Sequence, residues 1–211
     1  MSAYTDQEQV ERLKAWFKDY GGALLIGVAL GLVLLFGNKY WRQYQEEQRV
    51  AASELYTQML QQVQESKTDA ARVLGKKLTD EYKRTPYAGM AALMLARLSF
   101  EANDRAGARQ QLEWAMDHAV DPAVEHAARL RLGRLHIANK EYDAALTLAQ
   151  KSAPGFEADY LEIKGDAYAG MGRIDEARAA YREALKTLTP EVPARRLIEM
   201  KLDDLGGGRP A

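Results

Sequence analysis

The sequence contains no cysteine, which excludes disulfide staples, thiolate zinc sites, iron–sulfur ligation and cysteine nucleophiles. An oxidising compartment is compatible with that absence but is not proven by it. Positive charge is not in excess either: 29 Lys and Arg stand against 30 Asp and Glu, a formal net charge of −1. Nucleic-acid binding, which asks for a basic face or stripe, is therefore disfavoured. Histidine is scarce. His118, His126 and His136 stand at no i, i+3 or i+4 spacing to one another, and no H-E-x-x-H run occurs. A Walker loop, a G-x-S-x-G elbow and a dinucleotide glycine fingerprint are missing too. Acidic residues alternate with Arg and Lys at helix-surface spacing, the pattern of a solvated face. No catalytic, metal-binding or cofactor-binding residue is assigned, and an enzyme is disfavoured. Six prolines, 47% hydrophobic and 28% charged residues describe an ordered, helical chain.

One long hydrophobic run is present. From Tyr20 to Asn38, 19 residues carry no formal charge, bounded by Asp19 and Lys39. Between Gly21 and Gly37, ten of 17 residues are Leu, Ile, Val or Phe; together they favour insertion by about 3–6 kcal/mol, partly offset by the glycines. A run near 20 residues matches a hydrocarbon core about 30 Å thick, which favours a membrane anchor over a buried helix of a soluble protein. Trp16, Phe17 and Tyr20 on one side, with Tyr40, Trp41 and Tyr44 on the other, suit the two membrane–water boundaries. A cleaved signal peptide would need a small-x-small site just after the run. The residues there are Phe36-Gly37-Asn38-Lys39, so the anchor is read as uncleaved. Within it, Ala23, Gly27 and Gly31 recur every four residues and offer one face for close intramembrane packing. Arg12, Lys14 and Lys18 before the run balance Lys39, Arg42 and Arg49 after it, so charge leaves its orientation undecided.

Ahead of the run, Thr5 and Glu8 form a T-x-x-E capping box that places a helix start near Asp6. Val10, Leu13, Trp16, Phe17 and Tyr20 then fall close to one face. That stripe fits an amphipathic lead-in lying on lipid headgroups, or a docking motif for a soluble partner.

Beyond the run, Pro86, Pro122, Pro154 and Pro190 are separated by 36, 32 and 36 residues, a period expected of stacked supersecondary units. Gly165, Tyr168, Ala177, Tyr181 and Ala184 occupy the small and aromatic positions of a tetratricopeptide repeat, with Gly172 at its turn. Small residues let the two helices cross closely, and the aromatics fill the space between hairpins. Gly133 and Ala145 repeat the small anchors 32 residues earlier, with His136 in place of the first aromatic; Ala96 and Ala108 repeat them 37 residues before that. Tyr56 and Ala71 mark a degenerate earlier pair, and Pro193 to Leu205 reads as a closing helix with Ile198, Leu202 and Leu205 inward.

The expected fold is all-α, a single N-terminal transmembrane helix followed by a tetratricopeptide-like solenoid of helical hairpins. Its expected parts are a tail (1–19), the span (20–38), a helical connector with a degenerate pair (39–84), three repeats (85–190), and a capping helix with a frayed tail (191–211). Three or more pairs are needed for a stable array. By register, first helices would line a concave face with Met90, Leu93, Arg97 and Phe100, then Ala127, Leu130, Arg134 and Ile137, then Asp159, Glu162 and Asp166. Apolar residues mixed with arginine suit an extended or partly unfolded polypeptide; burial of the same apolar residues against neighbouring units is the other reading. A carboxylate clamp for chaperone C-termini would need Lys and Asn at several of these positions, and they are absent.

The stretch from Tyr4-Thr5-Asp6-Gln7-Glu8-Gln9-Val10-Glu11 through Trp16-Phe17, Tyr20-Gly21, Leu25-Ile26-Gly27-Val28 and Leu30-Gly31-Leu32 resembles the ancillary SecYEG translocon subunit (YfgM-like) family. The order of parts resembles it as well: short tail, single span, degenerate repeats. That resemblance implies a single-pass bacterial inner-membrane protein with a cytosolic N-terminus and a periplasmic array. It also implies association with the SecYEG translocon and a membrane-anchored periplasmic chaperone (PpiD-like), and the handing on of unfolded client polypeptides. Two other functions remain open: a tether whose tail sequesters a cytosolic signalling regulator, and a general envelope assembly scaffold.

Overall fold

The computed structural model describes residues 3–151 and 153–206, with the backbone alone for residues 3–8, 23–25, 28–30 and 35. Among these residues nine helices and no strand occur: α1 (Ala3–Gln64), α2 (Thr68–Glu81), α3 (Pro86–Glu101), α4 (Arg105–His118), α5 (Pro122–Ala138), α6 (Tyr142–Leu148), α7 (Glu157–Gly170), α8 (Ile174–Thr187) and α9 (Pro193–Asp204). The chain divides into two compact units, Met1–Val50 and Ala51–Ala211.

The first unit lies within α1. This helix begins at Ala3, ahead of the start expected near Asp6; the side chains of Thr5 and Glu8 lie outside the described residues. It runs through residue 19 without a turn, because residues 3–19 hold no Pro or Gly to break it. Val10, Leu13, Trp16, Phe17 and Tyr20 are exposed, as are Ile26, Leu32, Val33, Leu34 and Phe36. Nothing stands within 4 Å of where a Cβ would sit on Gly27 or Gly31. The side chain of Ala23 lies outside the described residues. Among the described residues no helix is long and apolar enough to cross a membrane. Seven side chains of the apolar run (23–25, 28–30 and 35) lie outside that description.

The second unit is built on one turn used four times. Ser66, Asn103, Lys140 and Gly172 all have positive φ, between 57° and 75°, and stand 37, 37 and 32 residues apart. At each, the left-handed residue donates to the carbonyl three back and its successor to the carbonyl five back, as in Asn103 N–H to Phe100 (2.9 Å) and Asp104 N–H to Ser99 (2.8 Å). These are Schellman closures, which satisfy carbonyls that the ending helix leaves without partners. Pro86, Pro122 and Pro193 start α3, α5 and α9 at a first-turn position, where a missing N–H costs nothing. The shorter 32-residue interval arises because α6 has seven residues and hands over to a loop holding Pro154 and Gly155 at φ 86°.

Apolar clusters run along the array, each joining neighbouring helices. Ala52 and Met59 of α1 pack with Ala71 and Leu78 of α2 and Leu95 of α3. Ala96, Ala108, Leu112, Leu132 and Leu135 join α3, α4 and α5. Leu130, Ala145, Tyr160 and Ile163 join α5, α6 and α7. Ala177, Tyr181, Ala184, Ile198 and Leu202 join α8 and α9. The small residues set the crossings: a Cβ on Gly165 would stand 2.3 Å from the Tyr181 ring, and one on Gly133 would stand 3.0 Å from Ile163. Tyr181 is 2% exposed and donates to Asp166 at 2.6 Å.

Tyr168, expected to fill the space between hairpins, packs against the Ala177, Tyr181, Ala184, Ile198 and Leu202 cluster of α8 and α9. It is only half-buried, because it stands in the last turn of α7, where the Arg173 guanidinium covers its ring at 4.6 Å. The expected frayed tail needs correcting at its start: Arg178 donates through Nε to the Leu205 carbonyl at 2.9 Å, so the chain is held up to Gly206. Residues 207–211 lie outside the described residues.

Two pairs of substitutions follow. Gly172→Ala should cost about 1–3 kcal/mol, because alanine is strained at positive φ, whereas Lys140→Gly should stabilise by up to about 1 kcal/mol. Tyr181→Ala should cost about 3–5 kcal/mol and Tyr168→Ala no more than about 2 kcal/mol, since cation–π and half-buried contacts are weaker. Thermal unfolding of the four variants checks both orders.

Candidate binding groove

First helices pack side by side, α3 against α5 and α5 against α7, which leaves a concave surface along them. Along it lies a pocket of about 660 Å³ formed by α3 and α5 with Tyr56 of α1 and Ala108 and Leu112 of α4. Met90, Leu93 and Phe100 line it, as do Arg97 and Arg134. Phe100 is 53% exposed, an unusual cost for a large aromatic inside a soluble fold.

Two expected groove residues point elsewhere. Leu130, 4% exposed, is part of the α5–α6–α7 core, and Ile137 packs against the same core. The reason is positional: α5 has α7 laid against it, so the stripe that stays open on α3 is covered on α5. Asp159, Glu162 and Asp166 do not form an open acidic wall. Glu162, 6% exposed, accepts from Arg134 at 3.2 Å and from Lys201 of α9 at 2.6 Å. Asp166 accepts from Lys201 at 2.7 and 2.8 Å and from Tyr181, and Asp159 pairs with Arg134 at 3.2 Å. Burial, and then the bond to Asp166, push the Tyr181 hydroxyl well above its ordinary range. This network closes the α7 end of the concave face and ties α9 to it.

Sequence register missed Tyr56, Met94, Val124 and Arg131, which also line the pocket. Arg131 stands 37 residues after Met94, so the turn period itself would have paired them. Tyr56 rests against Tyr87 with ring centroids 5.9 Å apart; burial raises its pKa, and the positive charge of Arg131 partly opposes that rise. Each histidine has a structural contact. His126 shares a hydrogen bond with the Tyr160 hydroxyl at 2.7 Å, His118 stacks on Trp114 at 4.7 Å, and His136 meets Glu141. That bond first, and Arg109 second, hold the Glu141 carboxyl below its ordinary range. Among the described residues no group of three or more His, Cys, Asp or Glu could hold a metal ion.

Comparison with known proteins meets this geometry. The pattern of the tetratricopeptide repeat-like domain family matches residues 14–207. A protein of Escherichia coli (strain K12) described as an ancillary SecYEG translocon subunit is 31% identical over 95% of this chain and 96% of its own. The chain belongs to the ancillary SecYEG translocon subunit family. Relatives of the same description in Neisseria gonorrhoeae (31% identical, over 95% of this chain and 97% of theirs) and Haemophilus influenzae (26%, over 95% and 97%) agree with that membership. The family match takes in α2 to α9, so the groove lies inside the repeat-like domain.

Lys201 should therefore matter more than an exposed lysine. Lys201→Met leaves Asp166 without its cation and Glu162 with Arg134 alone, and should cost about 2–3 kcal/mol. Adding Asp166→Asn should recover part of that loss. Thermal unfolding checks the magnitude, and amide exchange should show α9 losing protection first.

Proposed function

We propose that the protein is a membrane-anchored, non-enzymatic scaffold associated with the SecYEG translocon, which receives emerging polypeptides in the groove of its repeat-like domain. The observation that carries this reading is the pocket between α3 and α5, apolar at Met90, Leu93 and Phe100 and open to solvent. The names of its relatives support the translocon as its place of work. The chemistry of the groove suits an extended chain, since flexible apolar side chains adapt to many sequences.

Residues 20–38 act as the single span, with the tail in the cytosol, residues 39–84 as connector and first pair, and the repeat-like region 85–190 with its cap in the periplasm of a bacterial inner membrane. The exposed Ile26, Leu32, Val33, Leu34 and Phe36 support this, because a lone helix has no other place to bury them. Trp16 to Tyr40 spans about 36 Å of helix, enough to set one aromatic group at each boundary. Ala23, Gly27 and Gly31 offer the face for a partner helix within the membrane. A membrane-anchored periplasmic chaperone receives the client next. The exposed Val10, Leu13, Trp16 and Phe17 favour a second role, a cytosolic docking stripe for a regulator.

Photo-crosslinking in intact cells tests the main reading. A photoreactive residue in place of Phe100 should give adducts with translocon subunits, chaperone or nascent secreted chains, while one in place of the exposed Val73 should give few. Protease added to spheroplasts should remove the domain. Equal adducts at both positions would remove the groove from the reading, and protection of the domain would reverse its orientation.

A further inference from the structure

The charged side chains lining the pocket are all of one sign. Arg97, Arg131 and Arg134 line it, with no Asp, Glu or Lys, in a chain whose net charge is −1. Two of the three are already engaged. Arg97 pairs with Glu101 at 2.7 Å, and Arg134 with Asp159 and Glu162 at 3.2 Å. Arg131 differs. Among the described residues it has no ion pair and no hydrogen bond, and its charge acts on the Tyr56 hydroxyl. A guanidinium presents a fork of donors matched to a carboxylate. Here that fork stands at an apolar floor that includes Met90, Met94 and Phe100.

We infer that the groove selects polypeptide segments in which Asp or Glu side chains adjoin large apolar ones, the apolar groups seating on the methionines and Phe100 and the carboxylate pairing with Arg131. This rests on the groove being a polypeptide site, as proposed above, and adds what it prefers. Side-chain carboxylates are the partner, not a chain end, because the Lys and Asn that would grip a terminal carboxylate are missing from these positions. The C-terminal residues of the chain itself do not suit: 207–211 carry Arg209 and no acid. Segments rich in Lys or Arg are disfavoured, since the charge of Arg131 faces them. Selection acts alongside, not in place of, the apolar contact.

The test uses the full chain in detergent and three fluorescent peptides, acetylated and amidated so that no terminal charge remains. They share the same apolar residues and differ in carrying Glu, Gln or Lys between them. Fluorescence anisotropy should rank affinity Glu over Gln over Lys, with the first gap closing at about 0.5 M salt. Arg131→Gln should weaken the Glu peptide about fivefold and leave the Gln peptide within about twofold, the size expected of a solvent-accessible charge pair. Equal binding of the Glu and Gln peptides, or equal weakening of both by Arg131→Gln, would overturn the acid preference and leave the groove as a polypeptide site. Binding of none of the three to protein that still melts cooperatively would overturn both. So would a monomer–dimer equilibrium that masks the groove, because a second copy would then be its occupant.

Discussion

The close crossing of paired helices is the contact on which the second unit depends. At Gly165 the approach is so near that a single methyl group would enter the Tyr181 ring. At Gly133 the neighbour is Ile163 from the next hairpin. A missing side chain on one helix thus makes room for a large one on another. The same crossing lets helices of 14 to 17 residues bury a stripe that they could not bury in pairs alone. The left-handed turns follow from it, because a helix must reverse within a few residues for its partner to lie against the small face. Gly172 meets that demand at little cost and Asn103 at a modest one, while Ser66 and Lys140 meet it with strain.

The groove is a by-product of the same stacking. First helices laid side by side form one surface, and what fills that surface differs from one end to the other. Near α7, Lys201 reaches over from α9 and saturates Glu162 and Asp166. Near α3 no such cation arrives among the described residues, and Phe100 and Arg131 stay accessible. Polar closure at one end and apolar opening at the other give the concave face a direction.

The first unit raises a different physical question. It leaves Val10, Leu13, Trp16, Phe17, Ile26 and Phe36 exposed, so these side chains gain nothing from burial. Its apolar surface calls for an environment, lipid or protein, from outside the chain. Among the described residues nothing lies within 4 Å of a Cβ placed on Gly27 or Gly31, which is the condition under which another helix could come close.

What the amino-acid sequence determined alone was whatever depends on local period and residue size. All-helical architecture, the small anchors at Ala96, Ala108, Gly133, Ala145, Gly165 and Ala177, the turn at Gly172 and the inward face of α9 were legible because spacing along one helix dictates which side chains share a face. That Met90, Leu93, Arg97, Phe100 and Arg134 share one surface, the lining of one pocket, was legible for the same reason. Leu130 and Ile137 were misjudged, and Arg131 and Tyr56 missed, because register says which face a residue occupies and not what covers that face. Only the tertiary structure decided that α7 lies over Leu130 and that Lys201 crosses 39 residues of sequence to reach Glu162. Each of those outcomes depends on contacts between residues far apart in the chain, for which periodicity carries no signal.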